Sequence, residues 1–185
     1  MDRFPLGKHF EHTKWPKGIF QKKRFKLKKK LYLANPYGFS KQSKKLLFDF
    51  INIFNDLNID VYEPFERTKN IQIKEGEWAY NLARSNLNDL EICDCIFAIV
   101  NGTPPDEGVM IELGIAIALK KEIFLFRDDF RNCSDNNQYP LNLMLFLGLP
   151  KDNWKKYYFE SLQDIKSNKK AFLEWAKNKK ASKKN

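Results

Sequence analysis

The sequence predicts an α/β fold: an open parallel sheet of four to five strands with helices on both faces. Short apolar runs alternate with amphipathic stretches through the middle of the chain, the order that builds a parallel sheet. Cys95 to Val100 is apolar throughout, as suits a central strand buried on both faces. The apolar runs also stop at turn-forming residues: Asn35-Pro36, Pro64 and Asn101-Gly102.

Leu31 to Ala34 reads as the first strand. A helix follows from Lys41 to about Leu57, with Leu46, Leu47, Phe50, Ile51 and Phe54 on one stripe. Val61 and Tyr62 form a brief second strand, and Glu77 to Leu90 is helical. After the Cys95–Val100 strand comes a loop over Asn101 to Pro105, then a helix from about Gly108 to Leu119 with Asp106 placed to cap it. Ile123 to Phe126 is the next strand, Asp128 to Tyr139 a polar loop, and Leu141 to Leu147 a short helix. Trp154 to Phe159 reads as a last strand and Ser161 to Asn178 as a closing helix. The arrangement is flavodoxin/Rossmann-like. Such sheets bind ligands beyond the carboxyl ends of their strands, here the loops near Asn35, Glu63, Asn101 and Arg127.

Composition narrows the function. At 185 residues the chain fits one domain over 30–178, with a basic extension over 1–29 and a basic tail over 179–185. The net charge of +10 is unevenly spread. Residues 1–30 carry 11 Lys/Arg against 2 Asp/Glu, residues 151–185 carry 11 against 4, and residues 31–150 carry 11 against 17. Basic ends attract nucleic acid or anionic surfaces, but solvated tails are the commoner case, and nucleic acid is not an expected partner. No apolar run is long enough to cross a bilayer and no secretory pattern opens the chain, so the expectation is a cytoplasmic protein without membrane contact. Three cysteines cannot form a disulfide framework, and buried free thiols are expected. His9 and His12 fall in the extension and receive no catalytic role.

Several common sites are missing. There is no G-x-G-x-x-G, no G-x-x-x-x-G-K-[ST], no H-x-E with C-x-x-C and no G-x-S-x-G. No cofactor or metal is expected. Carboxylates and aromatics remain at the strand ends, a combination that suits sugar chemistry at an oxocarbenium-like centre. Glu112 has Gly108, Val109, Ile115 and Ala116 as helical neighbours, and a carboxylate among apolar residues needs a partner or a use. The bland alternative is a Glu satisfied by backbone amides at the helix start. Asp106 reads first as a helix cap. Asp89 lies near the C-terminal end of its helix, where the dipole disfavours an acid, so it points weakly to a site. Tyr32 is inside the first strand and reads alone as core. Tyr37 and Phe39 follow in a loop, where an aromatic covers the sheet edge or stacks on a base.

Three pieces in order carry a resemblance. They are Tyr32-Leu33-Ala34-Asn35-Pro36-Tyr37-Gly38-Phe39; then Asn88-Asp89-Leu90 with Asp94 and the block Asp106-Glu107-Gly108-Val109-Met110-Ile111-Glu112-Leu113-Gly114; and then Leu141-Asn142-Leu143-Met144. Together they resemble the nucleoside 2-deoxyribosyltransferase family over about residues 30–150. The resemblance implies that Glu112 is the nucleophile, forming a covalent deoxyribosyl-enzyme that a second base resolves with retention. It implies that Tyr32 holds the nucleophile in line, and that Asp89 exchanges a proton with the leaving and incoming bases. Asp106 and Asn142 match residues that hold the deoxyribose 5′-hydroxyl. The partners implied are a 2′-deoxynucleoside, a free nucleobase and further copies of the chain in a homo-oligomer that completes each site.

The physical reading adds that clustered carboxylates repel, with Asp89 the expected holder of a raised pKa and Glu112 ionised. An apolar lining near the anomeric carbon would leave a 2′-hydroxyl unpartnered. The chain departs from the pattern at Asn101-Gly102, where many relatives have Asp-Gly, which weakens the hydroxyl contact expected there; Asn101 is kept as a substrate-binding candidate. Two rivals remain. A deoxynucleoside 5′-monophosphate hydrolase would need phosphate donors, for which Arg67, Lys69 or Arg127 are available. A nucleotide or nucleic-acid binding module draws support from the basic ends and is opposed by Glu112.

Overall fold

The computed structural model of the chain describes residues 28–68 and 78–178. The rest of the expected extension and tail, the histidines and the first residue of the helix expected from Glu77 lie outside the described residues. The elements are β1 (Lys30–Ala34), α1 (Ser43–Asp56), β2 (Asp60–Tyr62), α2 (Pro64–Thr68), α3 (Trp78–Ile92), β3 (Cys95–Ile99), α4 (Glu107–Ala118), β4 (Glu122–Phe126), β5 (Tyr158–Phe159), α5 (Leu162–Ile165) and α6 (Ala171–Lys177). All strand pairs are parallel, in the order β2-β1-β3-β4-β5. The chain leaves β1 in one direction to β2 and returns on its other side to β3. That reversal opens a crevice at the carboxyl ends of β1 and β3, where open α/β sheets hold their ligands.

Strand alternation divides the core into two unlike halves. Tyr32, Ala34, Ile96, Ala98, Ile123 and Leu125 face α4 and the end of α3, with Val109, Leu113 and Ala116 packed over them. Leu31, Leu33, Phe97, Phe124, Phe126 and Phe159 face the other way, under Phe50 and Phe54 of α1 and Phe172 of α6. This second face is built of interlocked phenylalanines; the Phe50 and Phe126 rings meet edge-on at 4.8 Å, and those of Phe124 and Phe172 at 4.9 Å. The stripe expected on α1 holds at Leu47, Phe50 and Phe54, whereas Leu46 turns outward. Cys93 and Cys95 are buried free thiols, as expected, and Cys133 is half-buried. Burial pushes the Cys93 thiol up to about 12, out of reach of a reactive thiolate.

Four departures from the expected elements appear. The last strand is only Tyr158–Phe159, because Trp154–Lys156 forms a 3-10 turn in which Trp154 packs edge-on against Phe146 and Tyr139. The closing helix is broken into α5 and α6 across the polar run Ser167-Asn168-Lys169-Lys170. That run brings no apolar side chain to the core, and its Ser and Asn compete locally for backbone groups. In addition, α2 was not expected. Pro64 sits at its first position, where the missing N–H is harmless, and Glu63 Oε2 accepts the backbone N–H of Glu66 at 2.7 Å. Leu141–Leu147 narrows to a 3-10 turn, Leu143–Phe146. Among the described residues no helix is long and apolar enough to cross a membrane.

Candidate active site

Tyr32 lies on the α4 side of β1 and is 1% exposed. On α4 the buried stripe is Val109, Leu113 and Ala116, and Glu112 falls within it, three residues after Val109 and four before Ala116. Helix periodicity therefore turns Glu112 toward the sheet, where the Tyr32 hydroxyl donates to Glu112 Oε1 at 2.6 Å. The alternative of backbone amides at the helix start does not describe Glu112; that task falls to Asp106, whose Oδ1 accepts the Val109 N–H at 3.0 Å. Burial pushes the Glu112 carboxyl up to about 7; the Tyr32 hydrogen bond opposes this, and the charges of Asp106 and Glu63 add to it. Burial and the adjacent Glu112 charge also raise the Tyr32 phenol far above its ordinary range, so it is a donor only.

Asp89 is 6% exposed near the end of α3. Arg67 of α2 grips both of its oxygens, Nε to Oδ2 and Nη2 to Oδ1, each at 2.7 Å. The guanidinium lies 4.3 Å over the Tyr62 ring. Asp89 is close enough to Tyr32 for its charge to act on the phenol, so the two belong to one region. Glu112, expected to be ionised, carries a raised pKa, because it is buried and its one side-chain partner is a neutral hydroxyl.

A second cluster forms over the ends of β3 and β4. Asn101 donates through Nδ2 to the Tyr37 hydroxyl at 2.8 Å and to Asp128 Oδ1 at 2.5 Å, while its Oδ1 accepts the backbone N–H groups of Asp128 and Asp129. Asn101 thus joins three loops, and Tyr37 is held by its polar end. Arg127, 2% exposed, donates to the carbonyls of Val100, Gly102 and Arg131 and binds the loop after β3 from beneath. Phe39 lies in the 3-10 turn Tyr37–Phe39. Its neighbour Gly38 has no room for a side chain, since a Cβ there would stand 1.9 Å from Phe65 Cδ2. Asn142 is exposed, caps the Leu143–Phe146 turn by accepting the Met144 N–H at 3.0 Å, and makes no hydrogen bond to the other candidates. It borders an apolar hollow of about 560 Å³ between the Pro104-Pro105 loop, α4 and its own turn.

Two residues were missed by sequence reasoning. Glu63, 2% exposed, accepts from Asn35 Nδ2 at 2.9 Å and raises the proton affinity of Glu112. Arg67 is the other. Glu63 had a signal in its place at the carboxyl end of β2; Arg67 was considered only as a phosphate donor, and nothing in the sequence marked its pairing with Asp89, 22 residues away. Among the described residues no group of His, Cys, Asp and Glu could hold a metal ion.

A family model for nucleoside 2-deoxyribosyltransferase matches residues 31–144, which contain Tyr32, Asp89, Asp106, Glu112 and Asn142. No curated protein sequence matches the chain. Among solved structures, a 2-deoxyribosyltransferase from Bacillus psychrosaccharolyticus is 26% identical, covers 78% of this chain and 95% of its own, and superposes with a TM-score of 0.60. A 2-deoxyribosyltransferase from Leishmania mexicana, 24% identical over 73% of this chain and 92% of its own, shares the fold with a TM-score of 0.55. So does a conserved protein from Enterococcus faecalis, 21% identical over 82% and 98%, with a TM-score of 0.58. With more than half its length matched by the family model, the chain belongs to the nucleoside 2-deoxyribosyltransferase family.

Proposed function

We propose that the enzyme moves 2-deoxyribose between nucleobases by two displacements at Glu112. The observation that carries this reading is the 2.6 Å bond from Tyr32 to Glu112 Oε1 at the carboxyl edge of the sheet. It holds one carboxylate oxygen and leaves the other to attack the anomeric carbon. The C1′–N bond breaks as the C1′–O bond forms, and the bonding electrons leave with the base, which takes up a proton in the exchange assigned to Asp89. A second base then displaces Glu112 from the opposite direction, restoring the original configuration. Glu112 must be ionised to attack, so the first step gains as pH rises through about 7.

Asp106 keeps Oδ2 beyond its capping bond for the 5′-hydroxyl, with Asn142 as the second contact. Tyr37 flanks the base, Phe39 of the same turn is a second candidate, and Asn101 acts by fixing Tyr37. Hydrolysis of 5′-monophosphates is the second reading, and the two phosphate donors among the described residues are already engaged. Arg127 is committed to carbonyls, Arg67 to Asp89, and Lys69 lies outside the described residues. Assembly into a homo-oligomer is supported by exposed apolar side chains: Ile111 of α4, a helix without a polar side, is 65% exposed, and Leu143, Met144 and Leu147 are exposed in and just after the turn that packs on α4.

Incubation with deoxyinosine and adenine tests the reading, with Glu112→Ala alongside. Deoxyadenosine formed by the wild type and not by the variant is the expected result. Hypoxanthine and free deoxyribose alone would establish hydrolysis, and deoxyadenosine from the variant would remove Glu112 from the chemistry.

A further inference from the structure

The pair between Arg67 and Asp89 has features that a bond tying two helices together does not require. The guanidinium takes both carboxylate oxygens with one edge, at 2.7 Å each, which fixes the plane of the carboxylate as well as its position. The Asp89 side chain is 8% exposed and that of Arg67 44%, so the guanidinium forms the outer cover of the acid. Arg67 is not a free surface side chain, because its flat face rests on the Tyr62 ring at 4.3 Å and Tyr62 is buried in the core. Its Nη1 group makes no hydrogen bond among the described residues. Asp89 also acts by its charge on Tyr32, which itself holds Glu112.

We propose that Arg67 is a positioning residue of the base subsite: it holds Asp89 by both oxygens and leaves only the outer lone pairs for proton exchange with the base. This rests on the reading that Asp89 meets the nucleobase. A proton passing between Asp89 and the base must occupy a lone pair outside the fork, so the orientation set by Arg67 determines which base atom it reaches. A lysine offers one point charge in place of the planar fork and does not restore that orientation.

The test compares Arg67→Ala, Arg67→Lys, Asp89→Asn and the Arg67→Ala/Asp89→Asn double variant on two donors. Deoxyadenosine loses a base that needs a proton; 4-nitrophenyl 2-deoxyriboside loses a phenolate that does not. With deoxyadenosine, Arg67→Ala is expected to lower kcat by roughly 10–100-fold, a part of what a positioned acid–base group supplies, with little change in KM. Arg67→Lys recovers less than about a tenth of that loss, and the double variant is no slower than Asp89→Asn, since residues acting through one another are not additive. In the burst of nitrophenolate release, before any acceptor base reacts, Arg67→Ala and Arg67→Lys stay within about twofold of wild type, which also shows that they are folded and retain Glu112 chemistry. Equal losses on both donors, or losses that multiply in the double variant, overturn the proposal and leave a structural pair. If Asp89→Asn transfers from deoxyadenosine as fast as wild type while Glu112→Ala is inactive, the proposal falls with its premise and the nucleophile stands. If wild type cleaves neither donor, the deoxyribosyl reading itself has failed.

Discussion

Replacing Glu112 by glutamine is expected to stabilise the folded chain at neutral and alkaline pH while removing its activity. The carboxyl is raised from the ordinary 4.5 to about 7, chiefly by burial, a difference worth roughly 3 kcal/mol. The sign follows from where the proton is bound. The folded value lies above the unfolded one, so the folded state holds the extra proton between those limits, and stability falls as pH rises through the window. Below about 4.5 both states are protonated and the penalty is absent; above about 7 it is complete. Glutamine has the same shape, can still accept the Tyr32 hydroxyl through its carbonyl oxygen, and never ionises. The variant's advantage over wild type should therefore grow by roughly 3 kcal/mol between pH 4.5 and 8. Urea unfolding of both proteins across that range measures it, and subtracting one curve from the other cancels the groups they share. A difference flat to within about 0.5 kcal/mol, or one that shrinks with pH, would refute the claim that Glu112 sits in a site hostile to its charge.

Three further changes follow from the same geometry. Tyr32→Phe removes the contact that lowers the Glu112 proton affinity, so the acidic limb of the pH–rate profile should move above about 7. Its kcat at pH 7 should fall by roughly tenfold or more, and an unmoved limb in steady-state kinetics would contradict this. Arg127→Met strands the carbonyls of Val100, Gly102 and Arg131 and should cost about 3 kcal/mol in urea unfolding; a loss below about 1 would mean that water takes its place. Gly38→Ala drives a methyl into the Phe65 ring and should destabilise by about 1–3 kcal/mol, read as a lowered Tm, unless the ring moves aside without strain.

What the sequence disclosed and what it hid have a common cause. Strands β1, β3 and β4 and helices α1 and α4 were legible because each buries a periodic apolar set, and periodicity is local. Glu112 stood out for the same reason, as an interruption in a stripe, and the family resemblance then paired it with Tyr32. Asp89 was noticed because it opposes the helix dipole, and the fork of Arg67 explains how it is tolerated there. Arg67 itself, Glu63 and the threefold grip of Asn101 depend on helices and loops far apart in the chain meeting at one edge of the sheet, and no local pattern marks such a meeting. Asn101 shows the limit best. Its residue type suggested a weakened substrate contact, whereas its carboxamide serves, in donating and accepting at once, a junction that a carboxylate could not make. The splitting of the closing helix was hidden because a polar run of four residues looks the same on a helix surface as in a turn.

The unlike halves of the core bear on how this scaffold can change over time. The phenylalanine side is a tight mosaic in which Phe97 touches Phe50, Phe54, Phe124, Phe126, Phe159 and Phe172, so a substitution there is felt by many neighbours. The side that carries Tyr32 and Glu112 is floored by the small side chains of Ala34 and Ala98 rather than by interlocked phenylalanines. Mutational drift can therefore reshape the reactive side, admitting a wider base or a different acceptor, while the aromatic side preserves the register of the strands. A lineage built this way can diversify its chemistry without first having to acquire extra stability.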